Sequence, residues 1–212
     1  MNSNRKFAPA RLAIAVGLTV IIFSFMRPSA AQAETASEFV AILGESAIEL
    51  LADQGISDEI RVERFYSLLE EGFDFPLIGR FVLGIHWRRA TDQQRAEFGV
   101  LFEQYLVNTY ASRLGSYGGE TLRVKGERSD PNRDTIVSSE IVQKRGPRIK
   151  VDWRVRENAG TYKVIDVIVE GISLVITQRD EFSSVIRREG AGVEGLLAQL
   201  RNRTVALNLS KR

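Results

Sequence analysis

The chain has 212 residues, with 29 Lys and Arg against 27 Asp and Glu, one His and no Cys. The missing cysteine excludes disulfides, thiolate metal sites and a cysteine nucleophile, and a single histidine excludes a metal site built from several imidazoles. The sequence pI of 9.0 belongs to the whole chain, but four bases (Arg5, Lys6, Arg11, Arg27) and no acids precede residue 34, so 25 bases face 27 acids beyond it, a net −2 that makes no case for a nucleic-acid partner.

Met1 to Ala33 reads as an export address. Arg5, Lys6 and Arg11 form a basic start, and Leu12 to Met26 is apolar apart from Gly17, Thr19 and Ser24. Ala31-Gln32-Ala33 then has the small-x-small pattern of a signal-peptidase site. The apolar run of 15 residues is short for a membrane span of about 20. No cysteine follows to carry a lipid anchor. The expectation is a cleaved signal peptide, Met1 to Ala33, and one domain of 179 residues over 34–212, long enough for a sizeable core.

From Thr35 to Asp53, Phe39, Val40, Leu43, Ala47, Leu50 and Leu51 recur at helical spacing, and Gln54-Gly55 ends the run. A second helix is predicted from Ser57 to Glu71, with Ile60, Phe65, Leu68 and Leu69 inward. Glu34 to Glu71 holds ten acids and two bases, which reads as a solvated outer face. Pro76 suits a first helical turn, so Pro76 to Leu83 is a short helix ended by Gly84. Thr91 with Gln94 has the pattern of a capping box and opens the longest helix. Its broad apolar stripe is Phe98, Leu101, Phe102, Tyr105, Leu106, Thr109, Tyr110 and Leu114, with Gly115 past its end and a Tyr117-Gly118-Gly119 loop after it.

The period then becomes two. Leu122 and Val124 alternate with Arg123 and Lys125. Asp130-Pro131-Asn132 is a turn, and Asp134 to Gln143 is a strand of mixed phase. Gly146-Pro147 is another turn. Arg148 to Arg156 alternates cleanly, with Ile149, Val151, Trp153 and Val155 on one face and Lys150, Asp152, Arg154 and Arg156 on the other. Glu157 to Gly160 is a hairpin loop, and Thr161 to Val169 is the fourth strand. Short turns predict an antiparallel meander. Two helices follow, Ser173 to Arg188 and Val193 to Asn202, and the tail after Thr204 carries no structural signal. The fold class is α+β: N-terminal helices, a four-stranded antiparallel sheet and C-terminal helices. One sheet face is wet, and the helices cover the other.

The chemistry-bearing residues are few. His86, between Ile85 and Trp87, reads as structural. Gly190-Ala191-Gly192-Val193-Glu194-Gly195 matches G-x-G-x-x-G in letters, but it follows a helix rather than a strand and only 17 residues remain after it. It therefore reads as a turn between two helices, not a dinucleotide site. Asp166 interrupts the apolar run of the fourth strand and needs a partner there, for which Arg80 is the expectation. The bases Lys144, Arg145 and Arg148 suit a solvated turn, with a phosphate or a partner as the alternative. A dry core and a lipid pocket both ask for an apolar wall, so periodicity alone stops at an exported α+β domain with an unknown ligand.

Three blocks carry a resemblance. The first is Phe75-Pro76-x-Ile78-x-Arg80-x-Val82-Leu83-Gly84, followed by Trp87-Arg88-x-Ala90-Thr91-x-x-Gln94. The second is Phe98-x-x-x-Phe102-x-x-x-Leu106-x-x-x-Tyr110, ending in Tyr117. The third joins Val151-Asp152-Trp153-Arg154-Val155 to Tyr162-Lys163-Val164-Ile165-Asp166-Val167-x-Val169-Glu170-Gly171-x-Ser173-Leu174, then Arg179, Phe182 and Gly190. In order and spacing these resemble the MlaC or Ttg2D (toluene tolerance) family of periplasmic phospholipid-binding proteins, over almost all of 34–212.

The resemblance implies a monomeric periplasmic carrier, not an enzyme, without cofactor or metal. Its acyl chains would lie in an apolar pocket between helices and sheet, with the head group near the surface. It would exchange phospholipid with an outer-membrane lipoprotein–porin complex and an inner-membrane ABC transporter with an MCE-domain protein, and so maintain outer-membrane lipid asymmetry. Exposing acyl chains costs about 0.8 kcal/mol per methylene, on the order of 25 kcal/mol for two chains of about sixteen carbons, which asks for a deep pocket. The chain has no nucleotide motif, so direction must come from its partners. By phase, the pocket candidates are Ile78, Val82, Phe98, Phe102 and Tyr105 from the helices, and Val137, Ile141, Val151, Trp153 and Val164 from the sheet. The alternatives are a hopanoid-associated carrier of the same family, a ligand-free periplasmic interaction module, and a small-molecule enzyme.

Overall fold

The computed structural model describes residues 35–111, 117–188 and 190–209. The expectations for Met1 to Ala33, Leu114 and Gly115 lie outside the described residues, as does the side chain of Tyr110. The chain opens with α1 (Ala36–Ala52) and α2 (Asp58–Gly72). Thr35 starts α1 through a reciprocal capping box: its hydroxyl accepts from Glu38 N at 3.1 Å, and the Glu38 carboxylate accepts from Thr35 N at 2.8 Å. The buried stripe of α1 includes Val40, Leu43 and Leu50. In α2 only Gly72 is fully buried, so this helix rides high on the fold.

Asp74 caps α3 (Phe75–Leu83), its carboxylate accepting from Leu77 N at 2.9 Å. Gly84 ends α3 with φ 54°, and a Cβ there would lie 2.8 Å from Arg179 Nε, so both backbone and space demand glycine. Beyond Gly84, residues that the sequence pattern assigns to no element form the short helix α4 (Ile85–Arg89). The predicted capping box opens α5 (Asp92–Ala111): Gln94 N donates to the Thr91 hydroxyl at 3.2 Å and Thr91 N to Gln94 Oε1 at 3.1 Å.

The sheet is an antiparallel meander of five strands in sequential order, not four: β1 (Thr121–Ser129), β2 (Thr135–Val142), β3 (Ile149–Asn158), β4 (Thr161–Val169) and the two-residue β5 (Ile172–Ser173). The fifth arises because Glu170 and Gly171 take φ 49° and 83°, the two left-handed residues of a tight hairpin turn that folds the chain back on β4. The hairpin between β3 and β4 is likewise shorter than the predicted loop, turning on Ala159 and Gly160 alone, at φ 51° and 79°.

Register puts Val137, Val151, Trp153 and Val167 on the covered face, since Trp153 pairs with both Val137 and Val167, and Val151 with Ser139. A bulge between Arg154 and Val155 brings Val164 opposite Val155. On the wet face Glu140 meets Lys125 at 3.0 Å and Arg148 at 3.2 Å. Lys125 first, then Arg148, hold its carboxyl below the ordinary range. Arg148 is thus engaged with the sheet, and Lys144 and Arg145 are exposed.

Two helices finish the chain, α6 (Leu174–Arg188) and α7 (Val193–Leu209). The second continues past Asn202, through a stretch in which no structure was expected. The G-x-G-x-x-G letters fall on the α6–α7 turn, where Gly190 and Gly192 both have φ 64°. Buried apolar residues gather in two clusters. One is helical and includes Ile78, Val82, Phe98, Phe102, Phe182 and Leu197. The other joins α1 to the sheet through Val40, Leu43, Val137, Val155 and Val164. Phe73 packs against both.

Candidate lipid cavity

Between the two clusters the packing stops. A cavity of about 300 Å³ opens there, in a protein interior that is otherwise close-packed. Leu43, Gly44 and Ala47 of α1 and Phe65, Leu68 and Leu69 of α2 form one side. Phe73, Phe75, Ile78 and Val82, with Phe102 and Leu106 of α5, form the helical floor. Trp153 and Val167 come from the sheet, and Leu174, Val175 and Gln178 from α6. The amphipathic stripes of α1 and α2 explain their share: α1 packs on the sheet and on α2, and α2 packs on α1, α5 and β4, with part of each apolar face turned to the cavity.

Four of the ten sequence candidates meet on this wall: Ile78, Val82, Phe102 and Trp153. Phe98 is fully buried behind it, stacked on Phe102 with ring centroids 5.3 Å apart. Tyr105 packs against Phe182 at 5.8 Å and lies under the Arg203 guanidinium at 5.7 Å, bordering a separate cleft between α6 and α7. Val137 and Val164 belong to the α1–sheet cluster. Val151 is buried and Ile141 half-buried on the covered face, off the cavity lining. Phe65, Leu68, Leu69, Leu43 and Ala47 were legible as inward-facing helix residues but were not assigned to the pocket. Only the meeting of α1 with α2 puts them there.

Two polar devices hold the wall in shape. Trp153 Nε1 donates to the Ser139 hydroxyl at 2.9 Å, and that hydroxyl donates to Val151 O at 2.8 Å. Asp166 borders the cavity, but its partner is not Arg80. One carboxylate oxygen accepts from the Ser173 hydroxyl at 2.6 Å and the other from Val175 N at 3.2 Å. The acid therefore caps α6, where the exposed N–H groups and the helix dipole favour a negative charge. Burial first, then Arg89 and Arg187, push the His86 imidazole below its ordinary range. It sits buried in α4, off the cavity lining.

Among the described residues, no group of three or more His, Asp or Glu is placed to hold a metal. No described helix is long and apolar enough to cross a membrane.

The family model described as MlaC protein matches residues 41–202. The chain belongs to the MlaC family. Among its MlaC-like relatives is the intermembrane phospholipid transport system binding protein MlaC of Haemophilus influenzae, 23% identical over 184 residues that make up 82% of this chain and 85% of that protein. The toluene tolerance protein ttg2D of Pseudomonas putida is 27% identical over 103 residues, 49% of this chain, and the match spans 48% of that relative's length. The phospholipid-binding protein of Ralstonia solanacearum, solved in complex with a phospholipid, superposes with a TM-score of 0.70 at 24% identity, over 82% of this chain and 98% of that one. It shares the MlaC-like α+β fold.

Proposed function

We propose that this protein is a phospholipid carrier of the periplasm, with residues 34–212 as its single lipid-binding domain. The observation that carries this reading is the apolar cavity between two separate hydrophobic clusters, in a chain of the MlaC family. A cavity lined by Phe, Leu, Val and Ile has little to offer water and much to offer an acyl chain. Reaction chemistry finds little on this wall: Asp166, its one ionisable group, already caps a helix.

Size sets the next expectation. An apolar cavity of about 150 Å³ accepts the six carbons of benzene. By that yardstick the 300 Å³ here takes about a dozen carbons, fewer than one sixteen-carbon chain. The carrier therefore widens as it loads. α2 is the element best suited to yield, because it supplies Phe65, Leu68 and Leu69 to the wall while burying only Gly72 completely. A carrier of this kind draws no energy of its own. It takes lipid from one membrane complex and yields it to another, and the exchange partners proposed are an outer-membrane lipoprotein–porin complex and an inner-membrane ABC transporter with an MCE-domain protein. Export with cleavage after Ala33 completes the reading, and mass spectrometry of periplasmic protein should find Glu34 at its N-terminus.

The decisive experiment uses phospholipid brominated on its acyl chains. The chain has two tryptophans. Trp153 lines the cavity, whereas Trp87 packs against the helical cluster under the Arg95 guanidinium, 5.5 Å from its ring. Bound brominated lipid should quench Trp153, and Trp153→Phe should abolish most of the quenching. Organic extraction of the purified protein, followed by mass spectrometry, should yield about one two-chain phospholipid per chain. Protein that neither yields lipid nor takes it up when delipidated overturns the proposal in favour of a ligand-free interaction module. A recovered hopanoid redirects it to that lipid class.

A further inference from the structure

A second depression adjoins the cavity. It is a cleft of about 760 Å³ between the C-terminus of α2, the start of α3 and the β3–β4 hairpin. Phe73 and Phe75 line both spaces. Their rings stack with centroids 6.1 Å apart, so one layer of two phenylalanines separates the apolar interior from a charged surface. A molecule with apolar tails and a charged head meets that same boundary.

The charges in the cleft are mixed and unequal. Glu70, Asp74, Glu103 and Glu157 face Arg156 and Lys163 there. Arg156 is already committed, with Nε and Nη2 on the two oxygens of Asp134 at 2.7 and 3.1 Å. Asp74 is committed to capping α3. Lys163 donates to the carbonyls of Glu70 and Glu71 at 3.2 and 2.6 Å. An ammonium has three N–H donors, so one remains, and among the described residues no carboxylate lies within ion-pair distance of it. Among the described residues, Glu70, Glu103 and Glu157 have no basic partner either, although one oxygen of Glu103 already accepts from the Tyr66 hydroxyl.

We infer that this cleft seats a zwitterionic head group, with the phosphate on Lys163 and the ammonium among Glu70, Glu103 and Glu157. The inference rests on the carrier reading and adds a selectivity to it. A phosphoethanolamine or phosphocholine head brings one charge of each sign to a cleft that can match both. A phosphoglycerol head brings only a negative charge to a cleft with more carboxylates than cations. Each exposed pairing is worth little alone, but several act in the same direction.

The test offers delipidated protein vesicles of equimolar phosphatidylethanolamine and phosphatidylglycerol with identical acyl chains, then measures the extracted ratio by mass spectrometry. Ethanolamine lipid should exceed glycerol lipid by about fivefold, with the preference falling as salt screens the cleft. Glu157→Lys and Glu70→Gln, both at exposed positions, should each move the ratio towards unity. Glu45→Lys, an exposed position on α1 outside the cleft lining, makes the same change in net charge as Glu157→Lys and should leave the ratio alone. Circular dichroism confines the comparison to folded variants, and either cleft variant suffices. Lipid recovered in the vesicle ratio, a preference for glycerol lipid, or an equal response to Glu45→Lys overturns this inference and leaves the carrier standing. Failure to take up any lipid overturns both.

Discussion

The indole of Trp153 is pinned by Ser139, whose hydroxyl accepts its N–H at 2.9 Å from the neighbouring strand. Ser139 is 3% exposed, and its own proton goes to Val151 O. A large ring on the wall of an empty space would otherwise have several ways to lie. Here one buried hydroxyl selects a single orientation, which keeps the ring on the cavity wall rather than in the space itself.

Ser139→Ala should therefore cost about 1 kcal/mol, because it leaves a half-buried indole N–H without an acceptor. It should also weaken lipid uptake, since the ring is then free to turn into the cavity. Thermal melts of Ser139→Ala, Trp153→Phe and the double variant form a cycle. The double variant should be less destabilised than the sum of the two single variants. A cycle that closes additively would show the bond to be idle.

Asp166→Ala should destabilise by about 2 kcal/mol and Asp166→Asn by about half of that. The alanine removes the acceptor for both Ser173 Oγ and Val175 N, whereas asparagine keeps a carbonyl oxygen for one of them and loses the charge at the helix terminus. Chemical denaturation measures both. An Arg80→Ala variant with the same loss would restore Arg80 as the partner.

Leu69→Glu should reduce lipid uptake at least tenfold, while Ser67→Glu, two residues earlier on the exposed side of α2, should keep it. A glutamate on the cavity wall must be desolvated without a partner or take up a proton. Leu69 is only half-buried, so the variant should fold. Val151→Glu probes a different matter. It alters a buried position away from the cavity and should lower stability whatever the ligand. Equal uptake by the two folded α2 variants would remove α2 from the binding wall.

Tyr66 of α2 donates its hydroxyl to the Glu103 carboxylate of α5. That bond, helped by burial and by the charges of Glu103 and Glu70, raises the phenol to about 12. The raised value favours the neutral phenol in the folded state, so the bond contributes fully below the unfolded phenol value of about 10. It is lost as pH rises through about 12. Ultraviolet titration should show a phenol ionising near pH 12, and Tyr66→Phe should remove it. The same variant should speed lipid exchange by loosening α2 from α5. An unchanged exchange rate would mean that α2 is not the yielding element.

Much of this protein is local and was legible in order of residues. The capping box at Thr91, the glycine stop at Gly84, the alternation of β3 and the turn at Gly190 each depend on neighbours within a few positions, and backbone geometry makes such neighbours decisive. The three sequence blocks carried the family. β5 and the last turns of α7 were missed because two residues of strand and a helix end of seven residues are too short to show a period. The partner of Asp166 was missed because a capping acid and a paired acid look alike in sequence. The cavity is different in kind. Phe98 and Phe102 lie on one helical stripe and are both buried, yet one faces the cavity and the other lies behind it. Whether an apolar residue meets another side chain or a gap depends on how closely two hydrophobic clusters approach, and that distance exists only once α1, α2 and the sheet have been brought together.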